Sequence, residues 1–148
     1  MQGAVILVGT DFSEHAEIAV RGAFRLAQAV NGRVELVHVT PEQKPLFGGS
    51  KENRAAVKRL QEEAVEEARR ALELIVAEAD VPARAHVDVC AGDICKTLLD
   101  HADDVGADLI VVGRHGLGAA GRFLLGSLTD KVVRRSERPV MVIPTEPS

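Results

Sequence analysis

Short β-branched runs alternate with stretches of helical period along the whole chain. Ala4–Gly9 is apolar throughout, the pattern of a strand buried on both faces. Glu14–Val30 follows with Ile18, Ala19, Gly22, Ala23, Leu26, Ala27 and Val30 at helical spacing. Asn31-Gly32 closes that helix with a pair suited to left-handed geometry. Arg33–Val39 reads as a second strand, ended by Thr40-Pro41, and a Pro- and Gly-rich loop runs to Ser50. Lys51–Ala79 is the longest helical pattern. Its apolar stripe is Val57, Leu60, Ala64, Ala68, Ala71, Leu72, Ile75 and Ala79, with Glu and Arg on the solvated side. Beyond Pro82, Ala83–Val89 alternates as a strand, Asp93–Asp104 reads as a helix and Asp108–Gly113 as an apolar strand. A glycine-rich loop, a helix over Ser127–Ser136 and a strand over Pro139–Ile143 complete the chain.

Five strands alternating with four helices predict right-handed crossovers and a doubly wound, mostly parallel α/β sheet covered on both faces. Such sheets take ligands at the carboxyl ends of strands, where the strand order reverses. The loops Gly9–Ser13 and Gly113–Ser127 are therefore the candidate ligand loops.

Composition narrows the classes. At 148 residues, with 46% hydrophobic and 27% charged positions, the chain is expected to form one domain over residues 1–148. A domain of that size needs neither disulfide nor metal to hold a core. Aromatic residues are 3%, so the core is Val, Ile, Leu and Ala, and base-stacking platforms for single-stranded nucleic acid are disfavoured. A formal net charge of −4 argues against generic polyanion binding. Cys90 and Cys95 have no second pair beside them, which supports neither a zinc site nor a disulfide framework. The amino terminus lacks a basic segment before its short apolar run, so the expected location is the cytoplasm and no membrane partner is expected.

The chemistry concentrates in Gly113–Ser127, where five of fifteen positions are glycine. Glycine lets a ligand approach backbone N–H groups closely, and the N–H groups opening the next helix form a ready anion site. Gly113–Arg138 also carries Arg114, Arg122, Lys131, Arg134, Arg135 and Arg138 against Asp130 and Glu137, positive charge in an otherwise acidic chain. Two familiar motifs fail here. Gly116-Leu-Gly-Ala-Ala-Gly121 matches G-x-G-x-x-G, but it starts three residues past its strand with no dinucleotide half after it. Gly121–Ser127 has the P-loop glycine spacing with Ser in place of the phosphate-binding Lys.

A third pattern fits without exception: Gly113-x-x-Gly116, nine residues, then Gly126-Ser127. In this the chain resembles the ATP-binding branch of the universal stress protein family, marked by G-x2-G-x9-G-[S/T]. Ile6-Leu-Val-Gly-Thr-Asp-Phe-Ser13 resembles the family's first strand and acidic turn, and Arg138–Pro144 its closing strand. The resemblance implies a flavodoxin-like strand order 3-2-1-4-5 and a site for ATP. Asp11 would accept from the ribose hydroxyls beside the backbone of Gly113, and the backbone of Val39 would meet the adenine edge. Gly116, Gly126, Ser127 and the amides of Leu128 and Thr129 would hold the phosphates, while Thr10 and Val112 would line the pocket. Bound triphosphate commonly brings Mg2+. The family also implies a homodimer through the last strand, Val140–Ile143, and a regulatory stress-response role exercised on a protein partner. Ala119-Ala120 departs from the pattern by making the middle of the loop less polar, which bears on ATP over ADP preference.

Plainer readings stand beside these. An Asp just past a strand is usually a turn or N-cap residue, and Ser127 alone reads as an N-cap. His115 reads as an exposed loop residue, and His38 and His86 as packed or rim residues on strands. Cys90 reads as a small core hydrophobe and Cys95 as a helix-face residue. Two other functions fit the same chain. One is a slow ATPase or phosphoryl-transfer enzyme using Asp11, Arg122 and His115, although no compact catalytic constellation is visible. The other is a nucleotide-free dimeric interaction module.

Overall fold

The computed structural model describes residues 3–45, 49–115 and 125–145. The elements in chain order are β1 (Val5–Gly9), α1 (Glu14–Val30), β2 (Arg33–Pro41), α2 (Lys51–Ala77), β3 (Ala83–Cys90), α3 (Ile94–Val105), β4 (Leu109–Gly113), α4 (Ser127–Arg135) and β5 (Val140–Ile143). All strand pairs are parallel and the order is β3-β2-β1-β4-β5, the doubly wound, flavodoxin-like arrangement.

The sheet separates two apolar layers. On one face Ile6, Val8, Val34, Leu36 and Val111 pack under α1 and under Leu72 of α2. On the other, Leu7, Val37, Ile110 and Val112 pack under Cys95, Leu98 and Ala102 of α3 and Val132 of α4. Alternate residues of each strand thus serve opposite layers, which is why the central strands read as unbroken apolar runs. Asn31 closes α1 in the left-handed region, as its pairing with Gly32 predicts, and Gly106 does the same for α3.

The long helix departs from expectation. Of its apolar stripe only Ala68 and Leu72 are buried, and Leu60 is 57% exposed. The cause is length. A 27-residue helix runs about 40 Å, whereas the strands have at most nine residues, about 30 Å. The first half of α2 therefore overhangs the sheet.

Candidate functional site

β1 is the pivot of the topology. It pairs with β2 on one side (Gly9↔Val37) and β4 on the other (Val8↔Val111), and the strand order reverses between β1 and β4. The Thr10 amide donates to the Val37 carbonyl at 2.9 Å, extending the ladder one residue past β1. That extension brings Thr10 and Asp11 level with Val39 on β2 and with the end of β4, where Val112 is buried and Gly113 closes the strand.

The turn after β1 is held along its length. Asp11 Oδ1 accepts from the Ser13 amide at 2.9 Å, and Thr10 Oγ1 accepts from the Phe12 amide at 3.0 Å. Capping of α1 falls to Ser13, whose hydroxyl accepts from the Ala16 amide. Asp11 is therefore an exposed turn residue and not the cap. Phe12 has φ of 64°, a left-handed conformation that is strained for a bulky side chain and is often found at functional sites. Its ring lies 4.7 Å from that of His38. His38 Nδ1 lies 2.8 Å from the Thr10 carbonyl, and because a carbonyl only accepts, that nitrogen carries the proton.

The second loop closes at its neck. The Gly126 amide donates to the Arg114 carbonyl at 2.8 Å, and Thr129 Oγ1 donates to the Gly113 carbonyl at 2.6 Å. The N-cap of α4 is Gly126, with no side-chain capping bond, so Ser127 is the first helical residue and not the cap. Helix geometry leaves the amides of Ser127, Leu128 and Thr129 without intrahelical acceptors at the positive end of the dipole. Ser127 and Leu128 are exposed there, whereas Thr129 is buried and its hydroxyl is already engaged. Gly116 and Arg122 lie outside the described residues.

The positive charge around α4 has partners elsewhere. Arg135 meets Asp93 at 2.6 Å, Arg138 meets Asp103 at 3.2 Å, and Arg134 meets Asp130 within α4. The Arg135 guanidinium holds the Asp93 carboxyl below its usual range. Arg135 and Arg138 join α4 and the approach to β5 to α3, so these three cations are not a pool of charge reserved for phosphate. Cys90 and Cys95 are both free thiols in the core, and burial pushes the Cys95 thiol up, which disfavours its thiolate.

His15, His101 and Glu35 carry no signal in the sequence, and the sequence misplaces His115. His115 is 6% exposed, not an open loop residue, and its ring meets His15 edge-on at 5.7 Å. On the α3 face, Glu35 is 0% exposed in the middle of β2. Its carboxylate takes Arg84 at 2.6 Å, His86 Nε2 at 2.6 Å and Arg33 at 3.2 Å. Burial alone would raise its pKa, but those three partners outweigh it and hold Glu35 below its usual range. His86 also meets the ring of His101, which bonds Asp88 at 2.8 Å. Among the described residues, no cluster of His, Cys, Asp and Glu is arranged to hold a metal ion.

A groove of about 420 Å³ lies between α1 and the end of α2, lined by Thr10, Phe12, Val20, Phe24, Ile75 and Val81 among others. It shares Thr10 with the switch point but includes none of Gly113, Gly126, Ser127, Leu128 or Thr129. It is therefore a separate feature from the row of amides on α4. Among the described residues, no helix is long and apolar enough to cross a membrane.

These features define a doubly wound α/β protein with an acidic turn and an uncapped, glycine-led helix at its switch point. The universal stress protein family model matches residues 4–144. Universal stress protein MJ0577 of Methanocaldococcus jannaschii is 33% identical, with 93% of each chain covered. Its solved structure superposes with a TM-score of 0.82 at 30% identity over 100% of both chains. A universal stress protein solved in complex with cAMP gives 0.66 at 28% identity over 99% of this chain and 100% of that one. An Archaeoglobus fulgidus universal stress protein in complex with dAMP gives 0.59 at 25%, over 97% and 99%. The chain belongs to the universal stress protein family.

Proposed function

We propose that this chain is a cytoplasmic, single-domain adenine-nucleotide-binding module that takes ATP and acts as a nucleotide-dependent regulator in stress response. The observation that carries this reading is the uncapped N-terminus of α4 set beside the Asp11 turn at the switch point. Relatives solved with cAMP and dAMP support the adenine nucleotide class. Asp11 receives the ribose hydroxyls, the backbone of Val39 meets adenine, and Thr10, Val112 and Gly113 form the floor. Gly116, Gly126 and the amides of Ser127, Leu128 and Thr129 take the phosphates, with Mg2+ accompanying a triphosphate. The Thr129 hydroxyl is not a phosphate ligand, because it holds the Gly113 carbonyl.

The test is thermal unfolding with and without ATP. At 100 times Kd, nucleotide adds about 2.7 kcal/mol, a rise in Tm of about 5–10 °C for a chain of this size. Asp11→Ala removes charge-assisted bonds to ribose and is expected to weaken ATP about 10–100-fold. Full affinity in Asp11→Ala would refute its ribose role.

The two sheet edges differ in a way that supports a homodimer through β5. The α3 face of edge strand β3 carries Arg84, His86 and Asp88, inward-pointing charge of the kind that blocks edge pairing. β5 is Val-Met-Val-Ile, with Met141 exposed. Two-fold pairing would hide both copies of that edge. Met141→Lys is expected to give monomers by light scattering at concentrations where the wild type is dimeric. A wild type that is monomeric throughout would contradict this assignment.

A further inference from the structure

Thr145 lies just past β5, where no periodicity marks it, yet its side chain is 0% exposed. It meets three parts of the chain. Its Oγ1 accepts from the His115 amide at 3.3 Å and bonds His15 Nδ1, in the first turn of α1, at 3.0 Å. Its Cγ2 stands 3.0 Å from where a Cβ on Gly113 would be, and the His115 carbonyl stands 3.2 Å from that point. Gly113 is thus required by close approach, and Thr145 is what approaches. One step earlier, the Arg114 amide donates to the Ile143 carbonyl at 2.9 Å. Arg114 and His115, the two residues after β4, are therefore bonded, one after the other, to the end of β5 and the chain leaving it.

We propose that Thr145, braced by His15, is the positioning residue of the phosphate loop. This inference rests on the nucleotide-binding reading above. The hydroxyl offers a lone pair to the His115 N–H, and in the tautomer with His15 protonated at Nε2 its single proton goes to His15 Nδ1. It thereby ties the exit of β4, which the proposed site uses, to the first turn of α1, which directly follows the Asp11 turn. Thr145 itself touches no ligand. The neck is fixed from the other side by Thr129 on the Gly113 carbonyl. With both hydroxyls in place, the path from Gly113 to His115 has a single direction before the loop begins. A site entrance from Gly113 to His115 that is preset in this way does not have to be ordered by the ligand, and that difference is read as phosphate affinity.

Thr145→Val keeps the shape and removes the acceptor. Its binding of ATP and of adenosine, measured separately, distinguishes positioning from general structural damage. Thr145→Val is expected to lose about tenfold for ATP while adenosine affinity stays within twofold, and Thr145→Ser is expected to restore ATP binding. His15→Ala, on an outer turn, is expected to show the same split and serves if Thr145→Val does not fold. Wild-type ATP affinity in both Thr145→Val and His15→Ala, or an equal loss for ATP and adenosine, overturns the positioning role alone. A wild type that binds no adenine nucleotide overturns the underlying reading and this one with it.

Discussion

Glu35→Ala is expected to lower stability by about 3 kcal/mol at pH 7, the lower end for breaking a buried ion pair. The lower end applies because the Arg84 side chain is 62% exposed and can turn to water once its partner is gone, whereas His86 and Arg33 are more enclosed. For a chain of 148 residues that is a fall in Tm of about 6–12 °C. The pH dependence has a definite sign. Glu35 is held below its ordinary value of 4.5, so the folded state favours the carboxylate. Its contribution is complete above that value and is lost as pH falls through the depressed folded pKa. The gap between wild type and Glu35→Ala should therefore narrow as urea unfolding is repeated at progressively more acid pH. Glu35→Leu fills the space but leaves Arg84, His86 and Arg33 without their carboxylate, so it should recover only the part of the loss that comes from the cavity. A Glu35→Leu protein as unstable as Glu35→Ala would show that the network itself carries stability.

Gly126→Asp is expected to move stability and binding in opposite directions. The backbone at Gly126, with φ of −60° and ψ of 154°, suits any residue, so conformation does not require glycine there. What glycine omits is a side chain in front of the first-turn amides. Asp is among the best N-caps and places negative charge at the positive end of the helix. Gly126→Asp should therefore unfold at the same temperature as wild type or slightly above it. The same carboxylate would occupy the amides proposed for phosphate and repel it. Losing two charge-assisted hydrogen bonds at about 1.5–3 kcal/mol each gives a fall in ATP affinity of about 100-fold or more. If α4 begins with glycine for reasons unrelated to ligand, the stability gain should come with no loss of binding.

The strands and helices were legible because each face of a central strand meets an apolar layer, and Val, Ile and Leu runs record that directly. The order β3-β2-β1-β4-β5 followed from the glycine spacing and its family resemblance, not from periodicity. The acidic turn and the α4 start also stood where the loops between elements put them. Less legible was anything that depends on register between distant residues. Glu35 looks like an interruption in Arg33–Val39 until parallel pairing sets it against Arg84, 49 residues away. Thr145 reaches His15 across 130 residues. The cations of Gly113–Arg138 suggested an anion site by their density, but Asp93 at the cap of α3 and Asp103 within it take Arg135 and Arg138. Leu60 reads as core in the helical stripe, yet it is 57% exposed, and only the shorter strands reveal why.

The most direct test of the account is calorimetric titration of the nucleotide-stripped wild-type protein with ATP and Mg2+, with thermal unfolding of the same samples alongside. The account predicts saturable binding and a matching rise in Tm. No heat and no shift in Tm at millimolar ATP would contradict it, leaving a universal stress fold whose glycine loop does not hold nucleotide.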